Sequence, residues 1–338
     1  MTSLHYASKY GHPKVVELLL KRRANANVKA DEFRGFGYAP LHMVAKYGRL
    51  GRKPKSKRKG SQLLVPATLP SLPESDGIPD DIDSSTAIIN LLVKYGADVD
   101  ITDTSELTPL HHAAQKNNEM GARALIKNNA KINKIDRNGV SPLMLACIHG
   151  SAALVHLLLS AGADCTSMDN RGNTVYHAAA FSGKNDILQL LFRFGEDLQG
   201  MLYRANKDGK TPLLLAVDRN HSSTVAIILP LMPKDRPDID EIHKWMLHTA
   251  ASKGYCDVCK TLIENGYDPR LRDDEMKLPL HHAAKENSAD VLRYLLELAP
   301  DTIDASDQYG FTPFLQAVAM NALDAVKVQC SFNPQIVI

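Results

Sequence analysis

Paired histidines, His111-His112 and His281-His282, and a Cys-x-x-Cys, Cys256 to Cys259, are the groupings in this 338-residue chain that first invite a metal reading. Their spacing argues against it. Adjacent residues on a helix point in different directions, so neither histidine pair converges as ligands at i and i+4 do. A structural zinc site at Cys256 and Cys259 needs a second ligand pair at a suitable distance, and none is evident. A buried thiol acting as a small apolar group is the simpler reading of Cys259. A redox role needs a lowered thiol pKa. Gly209-Lys210-Thr211 has the tail of a phosphate-binding loop, but Arg204 stands where that loop needs its first glycine. No Ser/His/Asp arrangement, paired-carboxylate motif or glycine-rich cofactor loop stands out. The expectation is a protein that is not an enzyme and holds no cofactor or metal.

The elements that position these residues are repeats. "TPLHHAA" at 108 returns as "LPLHHAA" at 278, and degraded copies start at 2, 39, 141, 174, 211, 245 and 312. Successive spacings are 37, 69, 33, 33, 37, 34, 33 and 34 residues. One unit, 136 to 164, explains the rest. Asp136 and Gly139 mark a turn. Ser141 caps a helix, with Pro142 at its first position, where the missing N–H costs nothing. Gly150 ends that helix, and Leu154, Val155, Leu157, Leu158 and Leu159 give a second one an apolar stripe. Alanines on the first helices, Ala113-Ala114 and Ala283-Ala284 among them, allow close packing. No unit can bury its stripe alone, so neighbours must stack.

The spacing of 69 contains an insertion of about 35 residues near 49–84. Seven Lys or Arg lie between 49 and 59 and five Asp or Glu between 74 and 83. With Pro66, Pro70, Pro73 and Pro79 it reads as a disordered loop between the two helices of one repeat. Its basic half has the composition of a nuclear-import or phosphate-binding patch, or of a plain solvated loop. The array reads as 1–48, the insertion, 85–330 with an irregular joint at 228–245, and a non-repeat tail at 331–338. Residue 1 falls directly before a first helix, and Gln329 and Cys330 stand where a leucine pair is expected, so the terminal repeats read as incomplete.

The net charge of +2 gives no pull toward nucleic acid. The most apolar run, 225 to 232, is under half of the roughly 18 residues a membrane span needs. Five scattered cysteines suit a reducing compartment. The expected localisation is cytoplasmic, without direct membrane insertion.

The period and the "TPLH" phrase resemble the ankyrin repeat, which implies an all-α solenoid of about nine units, each a β-turn finger followed by two antiparallel helices. The resemblance implies that His42, His111, His177, His248 and His281, all at one repeat position, bridge the turn of their own repeat beside a Thr or Ser such as Thr108. Thr211 and Thr312 hold the same cap position as Thr108. It also implies protein partners on a concave face of fingers and first helices. Fingertip positions Asp103, Asp136, Asp169, Asn206, Asp273 and Asp307 are candidates for partner contact, although Asp there also satisfies turn backbone.

A narrower resemblance lies in "AKINKIDRNGVSPLMLA" (130–146), "HAAAFSGKNDILQLLFRFGEDL" (177–198) and "NKDGKTPLLLAV" (206–217). Together with the long finger between the last two, these are similar to the cytosolic region of TRPA-type transient receptor potential cation channels. That implies an amino-terminal arm below a homotetrameric six-helix pore, involved in sensing stimuli. None of the family's electrophile-sensing cysteines matches Cys147, Cys165, Cys256 or Cys259. The competing expectation is a free-standing adaptor that binds protein.

Overall fold

The structure, a computed structural model, describes residues 1–31, 36–48, 83–194, 199–232, 244–333 and 335. Its chain divides into two compact units, Met1–Asp164 and Cys165–Ile338. All regular structure among the described residues is helical.

In the first unit four helix pairs follow one another. They are α1 (Ser3–Lys9) with α2 (Pro13–Lys21), α3 (Pro40–Tyr47) with α4 (Ser84–Lys94), α5 (Pro109–Gln115) with α6 (Glu119–Lys127), and α7 (Pro142–His149) with α8 (Ala152–Ser160). First helices pack on first helices and second on second, pair after pair. The second unit has α9 (Val175–Ser182) with α10 (Asn185–Phe194), a short α11 (Gln199–Leu202), α12 (Pro212–Asp218) with α13 (Ser222–Ile228), and α14 (Met246–Ser252) with α15 (Cys256–Glu264). It continues with α16 (Pro279–Lys285) and α17 (Ala289–Leu298), then α18 (Pro313–Ala319) and α19 (Leu323–Phe332).

Helices α3 and α4 pack as a pair although 49–82 separate them, and those residues, with nearly all of the expected insertion at 49–84, lie outside the described ones. Most of the expected joint does too: Leu229–Leu231 form one 3-10 turn and Trp245 caps α14, while 233–243 are not described.

Sequence chemistry explains each start and stop. Thr108, Ser141, Thr174, Thr211 and Thr312 are extended cap residues whose side chains accept from the third helical N–H, and four of these helices carry proline at their start. The core is aliphatic. Ile88, Leu92, Leu125, Leu154 and Leu158 of the first unit, and Ile187, Val225, Leu262 and Leu292 of the second, are fully buried on second helices. Ala113, Ala114, Ala179, Ala250 and Ala283 are equally buried on first helices, where a larger side chain would hold neighbours apart.

Asparagine does two jobs at the turn between paired helices. Asn117 takes φ of +51°, and its Oδ1 accepts from the backbone and hydroxyl of Ser151 in the next repeat at 3.0 and 3.1 Å. Asn287, at φ of +57°, does the same for the Ala325 amide at 2.9 Å. Glycine at that turn gives the conformation but not the acceptor.

The fingers need a left-handed residue as well. Gly139, Gly172, Gly209 and Gly310 supply it in four, but Glu106 and Met276 adopt φ of +64° and +61° without that freedom. Met276→Gly should therefore raise stability by about 1 kcal/mol in a urea melt, since a non-glycine left-handed residue costs that order of energy. Leu158→Ala should lower it by about 2–5 kcal/mol, the range for a fully buried leucine.

Candidate interaction surface

Among the described residues six fingers are closed by their tip residue. Asp103 Oδ1 accepts from the amides of Ser105 and Leu107 at 2.8 and 3.0 Å. Asp136, Asp169, Asn206, Asp273 and Asp307 repeat the pattern at residues +2 and +4, all within 2.8 to 3.0 Å. Asp103, Asp136 and Asp307 are buried, while Asp169, Asn206 and Asp273 are half-buried. One acceptor atom of each candidate contact residue is thus committed to its own turn. Fingers are also joined: Arg137 N–H donates to Ser105 O at 3.3 Å, Lys207 N–H to Arg171 O at 2.8 Å, and Gln308 N–H to Glu275 O at 3.1 Å.

The first-helix histidine makes a bond within its own repeat and also reaches the next one. His111 Nδ1 accepts the Thr108 N–H at 3.1 Å, within the repeat. Its Nε2 then donates to Val140 O of the next finger at 3.1 Å. The same two-ended contact joins His42 to Ala39 N–H and Leu107 O, His177 to Thr174 N–H and Lys210 O, and His281 to Leu278 N–H and Phe311 O. His5, which the sequence reading left out, joins Thr2 N–H to Tyr38 O. Its "TSLH" register was the signal. His248 keeps only one end. Its Nε2 donates to Leu271 O at 3.0 Å, but Trp245 at the cap has ψ of 17° rather than the extended value of the other caps, and His248 Nδ1 is left without a partner.

This chemistry requires a neutral ring, because a protonated Nδ1 would meet an N–H with another N–H. Burial lowers the basicity accordingly: His42 falls to about 3, and His111, His248 and His281 to about 4. In the unfolded chain these rings take protons near the usual pKa of about 6.5, so between there and about pH 4 the unfolded state binds more protons. The stability they contribute is complete above that window and is lost as pH falls through it. The melting temperature followed by circular dichroism should hold near pH 7 and drop steadily toward pH 4.5; a flat profile would contradict the clamp. His111→Ala, losing a cap and a buried bond, should cost about 2–3 kcal/mol.

The second histidine of each pair does something the spacing did not announce. His112 Nε2 lies 2.9 Å from Asp103 Oδ2, both side chains almost wholly buried. His282 Nε2 lies 2.8 Å from Asp273 Oδ2, in a more open setting. The shared clue was the interval of nine residues from fingertip to histidine, which Gln316 and Asp307 repeat at 3.0 Å. Hydrogen bonding from His112 and from the finger amides outweighs burial at Asp103 and lowers its pKa.

The remaining motifs settle into structure. Gly209-Lys210-Thr211 is a finger turn: Thr211 caps α12, and Lys210 pairs with Asp218 at 2.9 Å. Cys259 is fully buried, and burial pushes its thiol up to about 12, which suits a core residue rather than a nucleophile. Cys256 is partly exposed, and its thiol too is raised by burial. Gln329 is buried with Oε1 unpartnered, and Cys330 is half-buried. Among the described residues no group of three or more His, Cys, Asp or Glu could hold a metal ion, and no helix is long and apolar enough to cross a membrane.

Several ring–cation contacts lie on or beside first helices. Lys9 lies over Tyr10 and Tyr47 at 5.4 and 5.0 Å, and Lys46 over Tyr38 at 4.5 Å. Tyr6 and Tyr10 are about half exposed. In the second unit Arg219 lies 3.8 Å from the centre of the Phe181 ring.

Capped fingers, helix pairs and stacked neighbours define a class. The family model described as ankyrin repeats (3 copies) matches residues 82–169, 151–240 and 247–335, the one described as ankyrin repeat matches 1–31, and the chain belongs to the ankyrin-repeat family. Within that class it is 42% identical, over 331 residues and 97% of its length, to the transient receptor potential cation channel subfamily A member 1 homolog of Caenorhabditis elegans. The chain spans about a quarter (26%) of that relative's length. Other likenesses are shorter. The probable 26S proteasome regulatory subunit p28 of Saccharomyces cerevisiae is 33% identical over 93 residues, 27% of this chain and 41% of the relative. Serine/threonine-protein kinase 12 of Arabidopsis thaliana is 33% identical over 78 residues, 23% of this chain and 17% of the relative. The resemblance to the TRPA-type ankyrin region thus extends well beyond the roughly 90 residues that carried it in the sequence.

Proposed function

We propose that this chain is the cytosolic ankyrin-repeat arm of a TRPA-type cation channel, a non-catalytic scaffold that binds protein through its fingers and first helices and takes part in stimulus sensing and ion transport. The observation that carries this reading is the reach of the likeness. A generic ankyrin match covers about a quarter of the chain, as with the proteasome subunit and the kinase, whereas the channel homolog matches 97% of it. Repeat stacks act by the shape and chemistry of one face, and here, on or beside the first helices, lie exposed Tyr6 and Tyr10, Lys9 and Lys46 beside aromatic rings, and the Arg219–Phe181 pair. A homotetramer is the assembly this reading implies.

Antibodies against residues 85–330 test it. From detergent-solubilised native membranes they should capture a polypeptide several times longer than 338 residues, with peptides from apolar helical segments. Capture only of a 338-residue species, from the soluble fraction, would overturn the proposal.

A further inference from the structure

The phrase that occurs twice also builds two related side-chain clusters, alike in the histidine–histidine–aspartate set and different in how the aromatic ring sits. In the first unit the His42 ring stands edge-on to His112 at 5.4 Å, and Tyr38 stands edge-on to His112 at 5.1 Å, beside the Asp103–His112 pair. In the second, His248 stands edge-on to His282 at 5.6 Å, and Trp245 edge-on to His248 at 5.0 Å, beside the Asp273–His282 pair.

The copies part four residues after the first-helix histidine. The first unit has Lys46 there, its ammonium 4.5 Å from the centre of the Tyr38 ring and 2.7 Å from the Tyr38 hydroxyl. The second has Ser252, whose hydroxyl turns back to Thr249 O at 2.9 Å. A cavity of about 410 Å³ opens at that position, with Trp245, His248 and Ser252 on the helix side and Asp273, Asp274 and Glu275 on the finger side. That is room for a long side chain. Asp274 is exposed and makes no ion pair among the described residues, while Glu275 pairs with Lys277. His248 is only 4% exposed, and its Nδ1 has no hydrogen-bond partner. Lys244 approaches the Trp245 ring at 4.5 Å but does not line the cavity.

We propose that this cavity receives the side-chain ammonium of a lysine carried by a partner polypeptide, in the place that Lys46 fills from within the chain in the other copy. The aromatic face of Trp245 attracts a cation. The carboxylate of Asp274, exposed and outside the Asp273–His282 and Glu275–Lys277 pairs, supplies the opposite charge and disfavours an acidic occupant. The inference rests on the reading that fingers and first helices bind protein, and names the chemistry of one contact.

Trp245 is the only tryptophan in the sequence, so its emission reports this cavity directly. The full chain would be titrated with the capped tripeptide acetyl-Gly-Lys-Gly-amide and, separately, with acetyl-Gly-Gln-Gly-amide, each to tens of millimolar. The lysine peptide should give a saturable change, and the glutamine peptide should bind at least about tenfold more weakly, the scale of one cation–aromatic contact with a carboxylate nearby. Ser252→Lys, which restores an internal ammonium, should abolish the response while the thermal melt stays cooperative. Should that variant fail to fold, Asp274→Asn at an exposed position decides, by weakening the lysine peptide several-fold. Equal responses to the two peptides, no response to either, or undiminished binding by the variants would overturn the proposal. Such a failure leaves the channel-arm reading standing, because the antibody capture tests it by polypeptide length alone.

Discussion

An imidazole that accepts at Nδ1 and donates at Nε2 can tie two backbones together, but only while it is neutral. Among the described residues five first helices carry such a ring, at His5, His42, His111, His177 and His281, and His248 keeps the donating end alone; all six donate to the finger of the next repeat. Aliphatic burial supplies most of the stacking energy, but it is non-directional and does not fix where a finger sits. The imidazole does, because its donor finds its acceptor only when the next finger is in register. Burial keeps the ring neutral, and stacking provides the burial, so register and packing support each other.

The same logic accounts for the fingers. A tip carboxylate closes the turn with one oxygen and has the other left for a neighbour. At Asp103 and Asp273 that oxygen meets the second histidine of the pair, and at Asp307 it meets Gln316. The tip residues therefore serve the scaffold first. Around them lie, in the first unit, tyrosines with lysines laid across them, and in the second a tryptophan set opposite carboxylates. The proposed lysine contact turns on one such difference, Lys46 in one copy and Ser252 in the other.

Much of this was legible in the sequence. Thr-Pro at a helix start, alanines on the first helix and a leucine stripe on the second are local signals with local causes, and among the described residues nine helix pairs stand where the repeated phrase placed them. What was not legible depends on contacts between repeats. The histidine position read as a bond within one turn, because the phrase shows the cap at Thr108 and not the carbonyl of Val140, some thirty residues away. The loss of one end at His248 follows from the backbone angle of Trp245, which composition does not reveal. The cavity could not be read at all, since it exists only where α14, α16 and a finger meet. Nearly all of the expected insertion lies outside the described residues.

The central claim is that neutral, Nε2-protonated histidines hold the repeats in register. Long-range nitrogen–proton correlation spectra of the histidine-labelled full chain at pH 7 test it most directly, since the two ring nitrogens shift differently in each tautomer. The account predicts the Nε2–H neutral form at all six positions at pH 7, persisting below pH 6 at His42, His111, His248 and His281. Finding these rings protonated at pH 7, or protonated on Nδ1 alone, would contradict it.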